Sequence, residues 1–244
     1  NFRLGRLYEV MQENKNSITK EQSDLQELIS DISHQVKTPI ANLKIINSTL
    51  MEQDVPAQKQ KEFLAAQAGQ LDKLDFLMQA MIKTSRLEAG VISLEKKEQP
   101  IYYTLAAALG GILLGAEKKQ IDVQVDCPEH LEACHDRKWT GEALFNILDN
   151  AVKYTPTGGQ IHVQVEAWEM YLKIDIADTG IGIPEQHQGT IFKRFYREDA
   201  VHDVEGIGIG LYLAREIISL QGGYIRVASE VGKGSVFSVF LLRK

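Results

Sequence analysis

Apolar residues recur every three or four positions through the first third of the chain. One series runs through residues 29–50 and another through residues 64–81, and Pro56 lies in the polar stretch between them. This spacing places the apolar side chains on one face of a helix, and Gly90 suits the left-handed position that follows a helix. The pattern therefore predicts two helices joined by a short loop, which form an antiparallel hairpin.

The apolar faces of this hairpin are narrow, so one hairpin buries little surface. We therefore expect two copies of the chain to pair as a homodimeric four-helix bundle. Residues 1–24 are polar and are predicted to continue the first helix upstream as a signal-carrying stem, which leaves residues 25–92 for the hairpin domain.

Strands and helices are mixed beyond the polar linker at residues 93–98. Period-two alternation of apolar and polar residues predicts half-buried strands at residues 121–127, 158–168, 171–178, 223–230 and 234–242. Helical patterns cover residues 101–120, 136–154 and 214–223. Residues 99–244 are thus predicted to form an α+β sandwich, in which helices cover one sheet.

Composition narrows the class of protein. The chain has 244 residues, of which 44% are hydrophobic and 25% charged, the usual balance of a globular protein. Its formal net charge of −6 argues against nucleic acid as a partner, because a phosphate backbone needs a basic face. No apolar run reaches the roughly 18 residues of a membrane span. The chain begins at Asn1 rather than Met, so we expect a fragment that lacks an upstream sensor or membrane segment.

Three polar residues share one face of the strongest predicted helix. Asn146, Asn150 and Lys153 are spaced so that a helix brings them together. Mg²⁺ prefers oxygen ligands and keeps several waters, and a lysine neutralises phosphate charge. The set therefore indicates a Mg²⁺–phosphate site. The alternative is a solvated helix face, which is disfavoured because asparagine has a poor helix propensity.

Asp178 ends a predicted strand and is followed by Gly180 and Gly182. Glycine allows a tight turn and the close approach of a ligand. A buried carboxylate there can accept a hydrogen bond from an exocyclic amine such as that of adenine. A turn without any ligand explains this segment equally well on its own.

A second glycine segment, with Gly206, Gly208 and Gly210, leads directly into a helix whose free amides would suit phosphate. It follows no predicted strand, so a dinucleotide-binding fold is disfavoured. The charged stretch before it carries Arg194 and Arg197, which could reach a γ-phosphate. Each segment is a weak signal alone, but together they are the parts that one nucleotide site needs.

The remaining candidate is His34, which lies beside the apolar face of the first predicted helix rather than on it. A lone histidine on a helix is usually structural. Here it lies near Pro39, which removes an amide donor and clashes with the carbonyl of Gln35, at a cost of about 3 kcal/mol in a helix interior. Because the rest of the chain carries a nucleotide site without an acceptor, His34 is the candidate acceptor.

Five ordered segments resemble the H, N, first glycine, F and second glycine boxes of bacterial two-component sensor histidine kinases: SHQVKTP, NILDNAVKYT, DTGIGIP, IFKRFYR and GIGIGLYLA. The resemblance covers residues 25–244. It implies a dimerisation and histidine-phosphotransfer domain followed by an ATP-binding domain of the GHKL type. It further implies the cytoplasmic portion of a membrane-bound, ATP-dependent protein-histidine kinase, which autophosphorylates and passes the phosphoryl group to an aspartate of a response regulator.

The residue roles of the family carry over by matching position. They make His34 the phospho-acceptor, Asn150 the Mg²⁺ ligand and Asp178 the partner of the adenine amine. Thr38 matches the position implied in dephosphorylating the regulator, so phosphatase activity is a further expectation. The other residues assigned to the ATP site are Asn146, Lys153, Tyr154, Gly180, Gly182, Arg194, Arg197, Gly206, Gly208, Gly210 and Leu211.

One departure from the family bears on catalysis. Members usually carry Glu or Asp directly after the histidine, where the acid is thought to take the Nδ1 proton while Nε2 attacks the γ-phosphate; this chain has Gln35. An amide cannot take a proton, although it can fix the tautomer by accepting a hydrogen bond from Nδ1–H. Asp31 is the candidate substitute base. We expect a working kinase, slower by at most about 10²–10⁴-fold. Ile207, where Thr is common, is a smaller departure.

Two other functions remain open at this point. A GHKL ATPase of the chaperone or topoisomerase kind would explain residues 99–244 but not the hairpin with His34. A non-enzymatic scaffold with a degenerate nucleotide site is disfavoured, because Asn150, Asp178 and the glycines are all present.

Overall fold

The structure is a computed structural model that describes residues 2–52, 55–88, 90, 92–198 and 206–243. Its helices are α1 (Phe2–Glu52), α2 (Ala57–Glu88), α3 (Ile101–Lys118), α4 (Arg137–Tyr154), α5 (Glu185–Gln188) and α6 (Gly210–Leu220). Its strands are β1 (Lys97–Pro100), β2 (Asp122–Asp126), β3 (Glu132–His135), β4 (Gln160–Ala167), β5 (Tyr171–Asp178), β6 (Tyr224–Glu230) and β7 (Gly234–Leu242). The chain divides into two compact units, Asn1–Ala80 and Met81–Lys244. No helix among the described residues has the length and hydrophobicity of a membrane span.

The predicted helical hairpin is confirmed: the first unit contains α1 and the part of α2 that ends at Ala80. α1 continues through Pro39, and the loop before α2 is held by Gln60, which donates from its backbone N to Pro56 O at 3.0 Å and from Nε2 to Val55 O at 2.9 Å. Apolar side chains along both helices stay exposed in the single chain, among them Ile40, Ile45, Leu64, Leu71, Phe76 and Met78.

The second unit is built around a five-stranded sheet with the order β2-β4-β5-β7-β6. β2 pairs with β4 in parallel, and the other neighbours are antiparallel. Alternate residues of the strands enter the core, as in β4, where Ile161 and Val163 are fully buried. The buried sides of α3, α4 and α6 belong to the same core. The α+β architecture predicted for this part of the chain is therefore confirmed.

Close packing of α3 on α4 depends on a glycine. A Cβ at Gly111 would lie 2.7 Å from Cε2 of Phe145, which is closer than side-chain atoms approach one another. Glycine lowers the propensity of α3 to form a helix. The position of Gly111 explains why a glycine is present, because the Phe145 ring of α4 can lie directly against the backbone of α3.

A second, two-stranded sheet was not predicted. β1 and β3 pair antiparallel, from Lys97 opposite His135 to Pro100 opposite Glu132, so a strand begins inside the segment predicted as a linker. β1 has only four residues, KEQP, and so short a polar strand has no apolar alternation that could reveal it. The limits of the predicted domains stay a prediction.

Candidate nucleotide-binding site

α4 carries the first part of the candidate site. Asp136 caps its N-terminus by accepting a backbone N–H of the first turn at 3.1 Å. Asn146 and Asn150 are half-buried on this helix. Asn146 Nδ2 donates to Glu142 O at 2.9 Å, and Asn146 Oδ1 lies beside the start of α6, since a Cβ at Gly210 would be 3.0 Å from it. Amide oxygen and helix N-terminus thus meet at one corner of the unit.

Two lysines lie at the last turn of α4, and their partners differ. Lys153 Nζ lies 2.6 Å from Asp149 Oδ2, so the side chain predicted to contact phosphate is paired with a carboxylate one turn earlier. Lys119 Nζ donates to the carbonyls of Val152, Lys153 and Thr155 at 2.9, 2.7 and 3.0 Å. A cation at this end satisfies carbonyls that lack helical partners and interacts favourably with the helix dipole.

Asp178 lies at the end of β5 and is only 9% exposed. Gly180 N donates to its Oδ1 at 2.8 Å, and the backbone N–H of Ser235, opposite it on β7, bonds to the same carboxyl group. Burial raises the pKa of Asp178, although both hydrogen bonds act to lower it. The carboxyl group is therefore a buried acceptor held in a fixed position.

Two glycines shape the turn after Asp178. A Cβ at Gly180 would lie 2.6 Å from Asp178 Oδ1 and 2.8 Å from Tyr154 O. Gly182 has a φ of +72°, in the left-handed region that favours glycine, and packs against the carbonyl of Glu230. Gly180 therefore fills the narrow space between the end of α4 and the Asp178 carboxyl group, where a larger residue would not fit.

Charged groups surround Tyr154 at the end of α4. Burial raises the pKa of its phenol, the charge of Arg197 acts in the opposite direction, and the charge of Asp149 adds to the rise. The charges of Arg197 and Asp149 therefore both act on this side chain. The structure also places Gly180 between the backbone of Tyr154 and the Asp178 carboxyl group.

The F segment packs on the sheet and on α6. The Phe192 ring is buried and meets Phe237 of β7 edge-on, with 6.4 Å between ring centroids. The guanidinium of Arg194, predicted to reach phosphate, lies over the Tyr212 ring at 4.9 Å from its centroid. Residues 199–205 of the charged stretch that precedes the second glycine segment lie outside the described residues.

The second glycine segment leads into α6 as the sequence indicates. Gly206 and Gly208 are half-buried, α6 begins at Gly210, and Leu211 packs partly against the core. Backbone amides at a helix N-terminus bind phosphate. Because Asn146 Oδ1 lies at the same place, this corner can hold a phosphate together with a metal ion.

The donor atoms fit Mg²⁺ rather than a metal that prefers nitrogen or sulfur. In the described part of the chain, no three His, Cys, Asp or Glu side chains form a metal cluster. A metal site here would consist of the amide oxygens of Asn146 and Asn150 with phosphate and water. Mg²⁺ uses few protein ligands and completes its shell in this way.

The candidate acceptor lies on α1, in the first unit. His34 and Thr38 are exposed, and Asp31 and Gln35 are half-buried. An exposed imidazole is accessible to a reaction partner, and its place off the buried side of α1 agrees with the sequence pattern.

Sequence reasoning missed two residues of the site. The strand pairing that puts Ser235 beside Asp178 joins segments far apart in the chain, and the only local signal was that Ser235 follows a glycine at the start of a strand. Lys119 follows α3, and its carbonyl partners lie at the end of α4. Nothing in the local sequence indicates that contact.

Two protein-family models match the chain. The model described as His Kinase A (phospho-acceptor) domain matches residues 24–90. The model described as Histidine kinase-, DNA gyrase B-, and HSP90-like ATPase matches residues 135–244. The first contains His34, and the second contains Asn150, Asp178 and both glycine segments.

Curated relatives match across most of the chain. Drug sensory protein A of Synechocystis sp. (strain PCC 6803) is 31% identical over 225 residues, which are 86% of this chain and 34% of the relative. Sensor protein SrrB of Staphylococcus aureus (strain MRSA252) is 31% identical over 224 residues, which are 88% of this chain and 37% of the relative. The chain thus spans about a third of the length of these relatives.

Solved structures share the fold. The Acinetobacter baumannii histidine kinase AdeS has a TM-score of 0.69 at 19% identity, covering 86% of this chain and 97% of that one. Histidine kinase ThkA, solved in complex with response regulator protein TrrA, has a TM-score of 0.73 at 22% identity, covering 93% and 64%. Full-length ShkA, in complex with AMPPNP, has a TM-score of 0.64 at 23% identity, covering 88% and 45%.

Proposed function

Because this chain belongs to the sensor histidine kinases of two-component systems, we propose that it is an ATP-dependent protein-histidine kinase whose ATP site is the Asp178 pocket. The buried Asp178 carboxyl group, held by the backbone N–H groups of Gly180 and Ser235, is the observation that carries this proposal. An acceptor fixed in a glycine-lined turn suits the exocyclic amine of adenine.

The phosphates would lie between α4 and the N-terminus of α6. Asn146 and Asn150 would hold Mg²⁺, which when bound neutralises phosphate charge. Lys153 would exchange its ion pair with Asp149 for a phosphate oxygen. Arg197 would add a second positive charge from the edge of the pocket.

His34 is the proposed phospho-acceptor. Its Nε2 attacks the γ-phosphorus, so that an N–P bond forms, the bond to the β–γ bridging oxygen breaks, and ADP leaves with the electron pair. The imidazole then gives up its Nδ1 proton, for which Asp31 is the proposed acceptor, because Gln35 can only accept a hydrogen bond.

The proposed partners are a second copy of the chain and a response regulator. Pairing through the exposed apolar side chains of α1 and α2, such as Ile45 and Leu71, would complete a four-helix bundle. The phosphoryl group would pass from His34 to an aspartate of the regulator, and Thr38 would orient water when the regulator is dephosphorylated. We place this portion on the cytoplasmic side of a membrane-bound bacterial sensor. The ThkA–TrrA complex supports a regulator as partner.

Autophosphorylation tests the proposal directly. After incubation with ATP and Mg²⁺, the wild type should carry acid-labile phosphate, His34→Ala should carry none, and Asp178→Asn should carry much less because ATP no longer binds well. ATP hydrolysis without acid-labile phosphate would instead indicate an ATPase of the chaperone or topoisomerase kind. Failure to bind a fluorescent ATP analogue would indicate a scaffold.

A further inference from the structure

A histidine to which the sequence assigned no role lies next to the F segment. His187 is part of α5, between the first glycine segment and the F segment, and is half-buried. Its Nδ1 forms a hydrogen bond with Tyr196 Oη, and the two ring centroids lie 6.0 Å apart. Tyr196 is the last aromatic residue of the F segment.

Hydrogen bonds hold the segment that carries His187 against β6. Gln188, the next residue, donates from Nε2 to Ser229 O at 2.8 Å and to Ile183 O at 3.1 Å. Ile183 N in turn donates to Ser229 Oγ at 2.7 Å. These bonds attach Gln188 at the end of α5, and Ile183 just before α5, to β6, so His187 lies on a segment that is fixed to the sheet.

Tyr196 contacts the second glycine segment through its backbone. A Cβ at Gly208 would lie 2.6 Å from Tyr196 O and 2.8 Å from the carbonyl carbon of Phe195. Gly208 has a φ of +78°, and Phe195 has a φ of +57°, a left-handed conformation that non-glycine residues rarely adopt. A strained backbone persists where its surroundings hold it, and the His187 bond is one such restraint.

Tyr196 also precedes Arg197. The charge of Arg197 acts to lower the pKa of the Tyr154 phenol, and Tyr154 O lies beside Gly180 in the turn that follows Asp178. A displacement of Tyr196 would therefore move two groups at once, the Arg197 side chain and the backbone that packs on Gly208.

We infer that His187 is a positioning residue, which sets the place of Arg197 and Gly208 at the phosphate end of the site through its hydrogen bond to Tyr196. The inference rests on the proposed function. Gln186 Nε2 lies 3.0 Å from His187 Nε2 and donates to it, so the neutral ring carries its proton on Nδ1 and donates to Tyr196 Oη. The proposed function assigns Arg197 to the γ-phosphate, so ATP binding should depend on the bond between His187 and Tyr196 more than ADP binding does.

Two single variants remove the bond from either side. Tyr196→Phe deletes only the hydroxyl group, and His187→Leu deletes the ring nitrogens at similar volume. His187→Asn should retain part of the wild-type ATP affinity, because the amide nitrogen of asparagine can lie near the position of Nδ1. Matched controls are Tyr224→Phe, in the aromatic cluster of β6 and β7, and His162→Asn, exposed on β4.

The measurement is the Kd for a non-hydrolysable ATP analogue and for ADP, by calorimetry, together with KM for ATP in autophosphorylation. Loss of one hydrogen bond should weaken ATP-analogue binding and raise KM by about 3- to 10-fold, with ADP binding changed less than about twofold. The double variant His187→Leu/Tyr196→Phe should be no worse than either single one, because both remove the same interaction. If His187→Leu fails to fold, Tyr196→Phe alone decides.

Three results would overturn the inference while leaving the proposed function intact. They are unchanged ATP-analogue binding in Tyr196→Phe, an equal loss for ADP and the ATP analogue, and a similar loss in the Tyr224→Phe control. If the wild type neither binds the analogue nor phosphorylates His34, the proposed function fails and this inference fails with it.

Discussion

Replacing Gly180 by alanine should both destabilise the second unit and weaken nucleotide binding at the candidate site. The added Cβ would lie 2.6 Å from Asp178 Oδ1 and 2.8 Å from Tyr154 O. Neither neighbour is the end of a flexible chain, since Asp178 is held by two backbone N–H groups and Tyr154 O belongs to the end of α4. Forcing atoms into a packed site costs about 1–3 kcal/mol.

The same displacement should reach the ligand. If the Asp178 carboxyl group moves, the hydrogen bond that we propose between it and the adenine amine is lost, and a hydrogen bond to a charged group contributes about 1.5–3 kcal/mol. At 1.4 kcal/mol for each tenfold change, the Kd for ADP, which carries the same adenine, should rise roughly 10- to 100-fold. Urea unfolding followed by circular dichroism measures the stability, and calorimetric titration with ADP measures the affinity.

Gly110→Ala is the matched control for Gly180→Ala. Gly110 lies on α3 with nothing within 4 Å of an added Cβ, so alanine there should raise the free energy of unfolding by about 1 kcal/mol through helix propensity and leave ADP binding unchanged. The reasoning is refuted if Gly180→Ala unfolds at the same urea concentration as the wild type. If it is destabilised yet binds ADP normally, adenine does not occupy the Asp178 pocket.

Three further predictions concern the end of α4, the buried His135 and the proton of His34. Lys119→Met should lower the free energy of unfolding by about 1–2 kcal/mol, measured in urea against the exposed neighbour Lys118→Met, since Lys119 contacts three carbonyls at the end of α4. Burial lowers the pKa of His135 below its usual 6.5, so on acidification the unfolded state binds a proton before the folded state does. The free energy of unfolding should therefore fall as the pH drops below about 6.5. His135→Gln should make that decline less steep. Gln35→Glu should raise the autophosphorylation rate, and Asp31→Asn should lower it. If neither variant changes the rate, Asp31 does not accept the Nδ1 proton of His34.

Local patterns in the sequence identified the elements whose signal repeats along the chain. The helix of Asn146 and Asn150 was predicted over residues 136–154, because apolar spacing is a local feature. The partner of Asp178 was not, since Ser235 meets it through the β5–β7 pairing of distant segments. His187 was assigned no role for the same reason, as nothing in its own four-residue helix predicts a bond to Tyr196.

The contact between Lys153 and Asp149 shows why a shared helix face does not by itself assign a role. The spacing that groups Lys153 with the asparagines also places it one turn from Asp149, and the structure pairs the two at 2.6 Å with side chains 31% and 33% exposed. An ion pair this exposed contributes about 0–1 kcal/mol, whereas contact with a multiply charged phosphate is stronger. The ion pair therefore positions Lys153 but is weak. Lys153 can leave Asp149 at little energetic cost and contact a phosphate oxygen when a nucleotide binds. Sequence spacing predicted which face carries the charge, and only the bound ligand decides which acceptor that charge contacts.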